Sequence, residues 1–204
     1  MTLKIMRRDS RVRTKCIIHE SPTLYNGKEV QDFIQSEILK KQWIYQIMSG
    51  EREKERVIYK CKDYIIIPDS DKSASSSLNW LIIFTDTELK SIRSLNGKHI
   101  EMLENVAKKV SSMATCNQEQ PMIYFHYPPS VWQLHLHVTI PSDGLYTTNS
   151  MQKVFFLQDV VSNLKIDFDF YSKATMTYVL PAGHDLVTCQ CLQNSESHTV
   201  VAQV

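Results

Sequence analysis

Apolar residues recur at helical spacing from Val30 to Met48 (Val30, Phe33, Ile34, Ile38, Trp43, Ile44, Ile47, Met48), with Gln, Lys and Ser between them. This predicts a helix, broken once and closed by Ser49-Gly50. A charged run from Glu51 to Arg56 then leads into Val57-Ile58-Tyr59, a short β-prone segment. Tyr64-Ile65-Ile66-Ile67 and Leu78 to Phe84 predict two more strands, separated by Pro68-Asp69 and a serine-rich loop around Ser73 to Ser77. Between Thr87 and Met113 the 3.6-residue rhythm returns, interrupted at Asn96-Gly97, so a turn followed by a longer helix is expected. Met122 to Phe125 and Leu134 to Ile140 read as strands joined by the Pro128-Pro129 turn. Val154 to Leu164 reads as a final helix and Ala174 to Leu180 as a last strand. Strands, a crossing helix, further strands and a late helix make an α+β domain.

Bulk composition narrows the partners. The chain has 204 residues with a net charge of +1, 43% hydrophobic and 22% charged residues, enough for one sizeable core. A global field for long nucleic acid or a membrane is lacking, so an anionic ligand would be small and held locally. Five widely spread cysteines with no CxxC pair fit a reducing compartment better than a disulfide framework or zinc site. No apolar run of membrane length and no secretory apolar core occurs, so the chain is expected in the cytosol or nucleus. Residues 1–32 are locally basic and are expected to be a frayed segment before a domain at 33–190, with a polar tail at 191–204.

The informative stretch is Gln133-Leu134-His135-Leu136-His137-Val138-Thr139-Ile140, where polar and apolar residues alternate strictly. Alternation predicts a half-buried strand, with Leu134, Leu136, Val138 and Ile140 in the core and Gln133, His135, His137 and Thr139 on the opposite face. Imidazoles two residues apart on one face suit a metal, a nucleophilic attack on phosphorus, or an ordinary sheet surface. Cys, Asp or Glu ligands at usual spacing are missing nearby, which weakens the metal option.

These residues also carry a resemblance. His126-Tyr127-Pro128-Pro129-Ser130 followed by Gln133-Leu134-His135-Leu136-His137 resembles the histidine-triad signature as the scavenger mRNA-decapping family carries it, HYLPSYYHLHVH. Gln42-Trp43-Ile44-Tyr45 with Glu53, Ile67-Pro68-Asp69, and Ser91 to Leu95 with His99 and Leu103 resemble that family's QWVYN, IPDLKW and IRSL…EHLPLL segments, in the same order. The resemblance implies a histidine-triad-like fold, an antiparallel sheet of five or six strands with helices packed on it, pairing as a homodimer. It implies a diphosphatase that cleaves 7-methylguanosine cap dinucleotides or short capped RNA without metal or other cofactor. His135 would be the nucleophile, with His137 and Gln133 beside it. His126 and Ser130 would contact phosphate, Trp43 would stack on the methylated base, Glu53 would accept its N–H groups, and Pro68, Asp69 and Lys72 would line the pocket.

Four departures qualify that expectation. Gln133 stands in place of the first histidine and cannot carry a proton. Val131 replaces a tyrosine, and Lys72 is shifted in register relative to the family's lysine. Only about 32 residues precede the first expected helix, as if residues 1–32 were a remnant of the family's N-terminal lid domain. The expected activity is therefore reduced turnover, or cap or nucleotide binding by an impaired paralogue. A general nucleotidyl hydrolase of another histidine-triad branch is the third reading.

Overall fold

A computed structural model describes residues 15–52, 56–69, 78–114, 120–141 and 154–194. The chain runs β1 (Lys15–Glu20), α1 (Pro22–Tyr25), α2 (Lys28–Lys40), α3 (Trp43–Ser49), β2 (Tyr59–Lys60), β3 (Tyr64–Pro68) and β4 (Trp80–Phe84). Two short 3-10 turns (Ile92–Ser94 and Gly97–His99) then lead into α4 (Ile100–Met113), β5 (Met122–His126), β6 (His135–Thr139) and β7 (Val154–Phe156). The chain closes with α5 (Leu157–Ile166), α6 (Phe170–Lys173), β8 (Met176–Pro181) and α7 (Asp185–Asn194). The expected break in the first helix falls at Lys41-Gln42, and Gly50 at φ 81° caps α3 in the left-handed region that glycine enters without penalty.

Six strands form one antiparallel sheet in the order β2-β3-β4-β6-β5-β7, which places the histidine-bearing β6 near its middle. Tyr64, Ile66, Ile82, Phe84, Leu136 and Val138 point to one face and pack in the main core with Val30 and Ile34 of α2, Leu103, Val106 and Val110 of α4, and Leu157, Val160 and Leu164 of α5. The other face carries a smaller apolar cluster. There Ile44 and Ile47 of α3 cover Ile65, Ile67, Leu81 and Ile83. Strands β3 and β4 are thus buried on both sides, which explains their unbroken apolar runs.

Three expectations need correction. Residues 15–32 are not frayed: β1 pairs along its whole length with β8 and buries Cys16, Ile18 and Glu20, and α2 begins at Lys28. The alternation of Cys16, Ile18 and Glu20 was masked by the basic residues before it. Val154 to Phe156 form an edge strand against β5 instead of the first turn of a helix, since β-branched and aromatic side chains favour a pleated edge; the helix starts at Leu157. Helix α7 also runs through the expected start of the tail and ends at Asn194. Residues 1–14 and the serine-rich loop lie outside the described residues.

A buried ionic network locks β1 to the rest. The Arg93 guanidinium donates to Glu20 Oε1 at 3.0 and 3.1 Å, to the Glu20 carbonyl at 2.7 Å, and to the carbonyls of Tyr171 and Ala174 at 2.9 and 2.7 Å. The hydroxyls of Tyr127 and Tyr178 donate to the same carboxylate, and the guanidinium lies over the rings of Tyr25 and Tyr127 at 5.2 and 5.8 Å. Tyr127 follows His126 directly, so this network fixes one end of the histidine-bearing segment.

Candidate active site

Antiparallel partners share a face. His135 is paired with Ile83, and His137 lies between Leu81 on β4 and Tyr124 on β5. Two residues beyond Tyr124, His126 ends β5 on that same face. The sheet register therefore gathers three imidazoles and a phenol. Ring centroids are 4.5 Å apart for His126 and His137, 5.4 Å for His135 and His137, and 5.5 Å for the stacked Tyr124 and His137.

This face is less open than a half-buried strand predicts. His135 is 6% exposed, Thr139 is 2% exposed, and only His137 is intermediate. The isoleucines on β3 and β4 and the covering helix α3 account for the difference, because they close the neighbouring part of the same face. Burial, with the neighbouring His137 adding to it, pushes the His135 pKa down to about 4. The ring is neutral at pH 7. Its Nδ1 lies 2.7 Å from the Gln133 carbonyl. A carbonyl only accepts, so Nδ1 carries the proton and Nε2 keeps its lone pair.

His137 is oriented from the far end of β3. Its Nδ1 lies 3.1 Å from Asp69 Oδ2, and that bond holds the Asp69 carboxyl below the usual carboxylate range. The Nε2 of His137 is buried without a hydrogen-bond partner among the described residues. A buried polar atom left unsatisfied costs stability, and such atoms gather where a ligand supplies the missing partner.

Other predicted residues are placed less uniformly. Asp69 reaches the cluster as a partner of His137. Pro68 ends β3 next to it, its carbonyl 3.4 Å from the Arg56 guanidinium. Trp43 opens α3 and is 37% exposed, so its indole is not core. Ser130 lies in the turn after β5, its carbonyl accepting from Lys41 Nζ at 2.5 Å. Gln133, expected beside the nucleophile in place of the first histidine, is fully buried, and its amide donates to the carbonyls of Phe84 and Asp86 at 2.8 and 2.9 Å. Both N–H groups are thereby used to brace the end of β4. Glu53 and Lys72 lie outside the described residues. Tyr124 was not anticipated, although alternation along Met122-Ile123-Tyr124-Phe125-His126 puts it on the face of His126.

A cleft of about 400 Å³ opens beside His126, between α2, the proline turn and the start of α7. Lys41, Glu37, Ser130, Phe33 and His184 contribute to its walls.

The family model described as "Scavenger mRNA decapping enzyme C-term binding" matches residues 42–152, more than half of the chain and the whole histidine cluster. The chain belongs to the scavenger mRNA decapping family. Among curated relatives, the m7GpppX diphosphatase of Caenorhabditis elegans is 29% identical over 190 residues, spanning 87% of this chain and 60% of that protein. The Ascaris suum m7GpppX diphosphatase is 30% identical over 179 residues (82% of this chain, 58% of that protein), and the Homo sapiens one 25% over 169 residues (76% and 48%). The chain thus spans roughly half to three fifths of the length of these scavenger decapping relatives. Among solved structures it is similar to the aprataxin ortholog Hnt3 from Schizosaccharomyces pombe, with 16% identity and a TM-score of 0.42 over 74% of this chain and 89% of that one. It is also similar to an aprataxin ortholog Hnt3 in complex with DNA, with 19% identity and a TM-score of 0.44 over 60% and 74%.

Proposed function

We propose that this scavenger decapping homologue hydrolyses 7-methylguanosine-capped dinucleotides and short capped fragments, releasing 7-methylguanosine monophosphate and a nucleoside diphosphate. The observation that carries the proposal is the state of His135. Its Nδ1–H is held by the Gln133 carbonyl and its pKa is pushed down to about 4, so a neutral ring keeps an available Nε2 lone pair at pH 7.

In the proposed reaction, Nε2 of His135 attacks the phosphorus next to the methylated nucleoside. The P–O bond to the bridging oxygen breaks, and its electron pair leaves with the nucleoside diphosphate. A water then adds to the phosphorus and the P–N bond breaks, returning the lone pair to His135 and the water proton to solvent. Splitting one hard displacement into two is the gain from covalent catalysis. A phosphate monoester has a second pKa of about 6, so the diphosphate departs as an anion without a general acid. Gln133 is compatible with that step. His137, its ring fixed by Asp69 and its Nε2 without a partner among the described residues, lies on the side of the phosphoryl oxygens; donors aimed at such oxygens are typically worth about 3–4 kcal/mol in the transition state. His126 and Ser130 complete the phosphate side. Trp43 stacks on the methylated purine, Glu53 accepts its N–H groups, and Pro68 and Lys72 border it.

Two observations favour a second reading, a cap-binding protein with impaired chemistry: His135 is only 6% exposed, and Gln133 is committed to structure. One assay separates the two. With m7GpppG as substrate, the first reading expects 7-methylguanosine monophosphate and GDP, and a His135→Asn variant that binds the cap but turns over at least about 10³-fold more slowly. Tight binding by the intact chain with no product selects the second. Equal turnover of unmethylated GpppG contradicts both.

A further inference from the structure

Of the walls of the cleft beside His126, only His126 and Ser130 take part in the proposed reaction, on its phosphate side. The cleft's volume of about 400 Å³ falls within the roughly 300–1,000 Å³ usual for small-molecule sites. Neither Trp43 nor Pro68, two of the residues proposed for the methylated base, contributes to its walls. It meets the histidine cluster through His126, whose ring is 4.5 Å from that of His137. A polyphosphate on the cluster therefore has two directions to leave it, toward α3 and Trp43 or into this cleft.

The walls suit a nucleotide. Lys41 Nζ projects across the cleft from the end of α2, bonded to Glu37 Oε2 at 2.7 Å and to the Ser130 carbonyl at 2.5 Å. Glu37 also accepts from Lys40 at 3.0 Å, so two ammonium groups share one carboxylate at the end of α2 and Lys41 does not hold Glu37 alone. Also on the walls, Phe33 and His184 lie with ring centroids 6.2 Å apart. A cation and aromatic rings in one cleft are what a phosphorylated nucleoside needs, one group for the charge and one for the base.

We propose that this cleft binds the leaving nucleoside diphosphate, with Lys41 holding its phosphates and the Phe33–His184 pair receiving its base. This deepens the proposed cap hydrolysis and rests on it. Lys41 exchanges its bond to Glu37 for one to phosphate, so Glu37 competes with the ligand for that cation. The sequence did not single out Lys41, because its partner on the proline turn lies 89 residues away.

The test is a pair of binding titrations on the full chain, by calorimetry: 7-methylguanosine monophosphate alone, then adenosine diphosphate with that monophosphate saturating. Adenosine diphosphate lacks the guanine N1 and N2 hydrogens, so it probes the cleft and not the cap pocket. Lys41→Met is expected to weaken adenosine diphosphate binding about tenfold and leave the monophosphate unchanged, while Glu37→Gln strengthens adenosine diphosphate binding two- to threefold. The Glu37 arm stands even if the Lys41 variant does not fold. Equal weakening of both ligands by Lys41→Met would overturn the proposal, since Lys41 would then only hold the Ser130 turn; so would no adenosine diphosphate binding to the unaltered chain. Failure of the cap reading looks different: 7-methylguanosine monophosphate would bind no better than guanosine monophosphate.

Discussion

Two groups of polar side chains are buried in this protein, and they are finished differently. Around Glu20 and Arg93 the guanidinium and carboxylate meet each other, two tyrosine hydroxyls and three backbone carbonyls. Around His135 and His137 the bonds run to one side only. Each Nδ1 is held, by a carbonyl or a carboxylate, while His137 Nε2 faces the site with no partner among the described residues. A closed network contributes rigidity; an incompletely bonded one keeps atoms directed at something absent from the chain. Burial of polar groups therefore completes the bonding in the first region and leaves it incomplete in the second, where a buried nitrogen without a partner among the described residues makes the distinction.

Substitutions in the two regions should fail in different ways. Arg93→Met leaves the Glu20 carboxylate buried without its cation and should cost about 3–5 kcal/mol in urea unfolding. If it left stability untouched and reduced only turnover, the division between the regions would collapse. Asp69→Asn replaces a charge-assisted bond worth about 1.5–3 kcal/mol. Its loss should appear as a ten- to hundredfold fall in kcat/KM on m7GpppG, with a small change in melting temperature. Gln133→His tests a residue that stands in the motif but belongs physically to the structural class. An imidazole cannot donate to Phe84 and Asp86 at once, so one buried carbonyl loses its partner at a cost of about 1–3 kcal/mol in unfolding free energy. Turnover should not rise. A faster Gln133→His enzyme would show that this position is a catalytic one.

The order of the central elements was legible in the sequence because periodicity alone specifies it: the broken helix ending at Gly50, the apolar strands β3 and β4, and the alternation in β6. The family resemblance was legible in short motifs at consistent spacing. Less visible was whatever depends on contacts between distant residues. Strand β1 is recognisable only once β8 is beside it, since its six residues follow a basic run that reads as solvated. The closure of the histidine face by α3 depends on where that helix packs, which its own amphipathic pattern does not state. The Asp69–His137 pair joins residues 68 apart. Gln133 shows the limit in the other direction: its place in the motif put it beside the nucleophile, whereas both its N–H groups go to carbonyls at the end of β4.

The central claim, that the buried neutral imidazole of His135 is the nucleophile, is tested most directly by trapping the covalent intermediate. The chain is mixed with m7GpppG, quenched in alkali where a phosphoramidate survives, digested, and mapped by mass spectrometry. A 7-methylguanosine monophosphate adduct on the peptide carrying His135, absent from the His135→Asn variant, is the predicted result. Product released with the adduct on a different residue would contradict it.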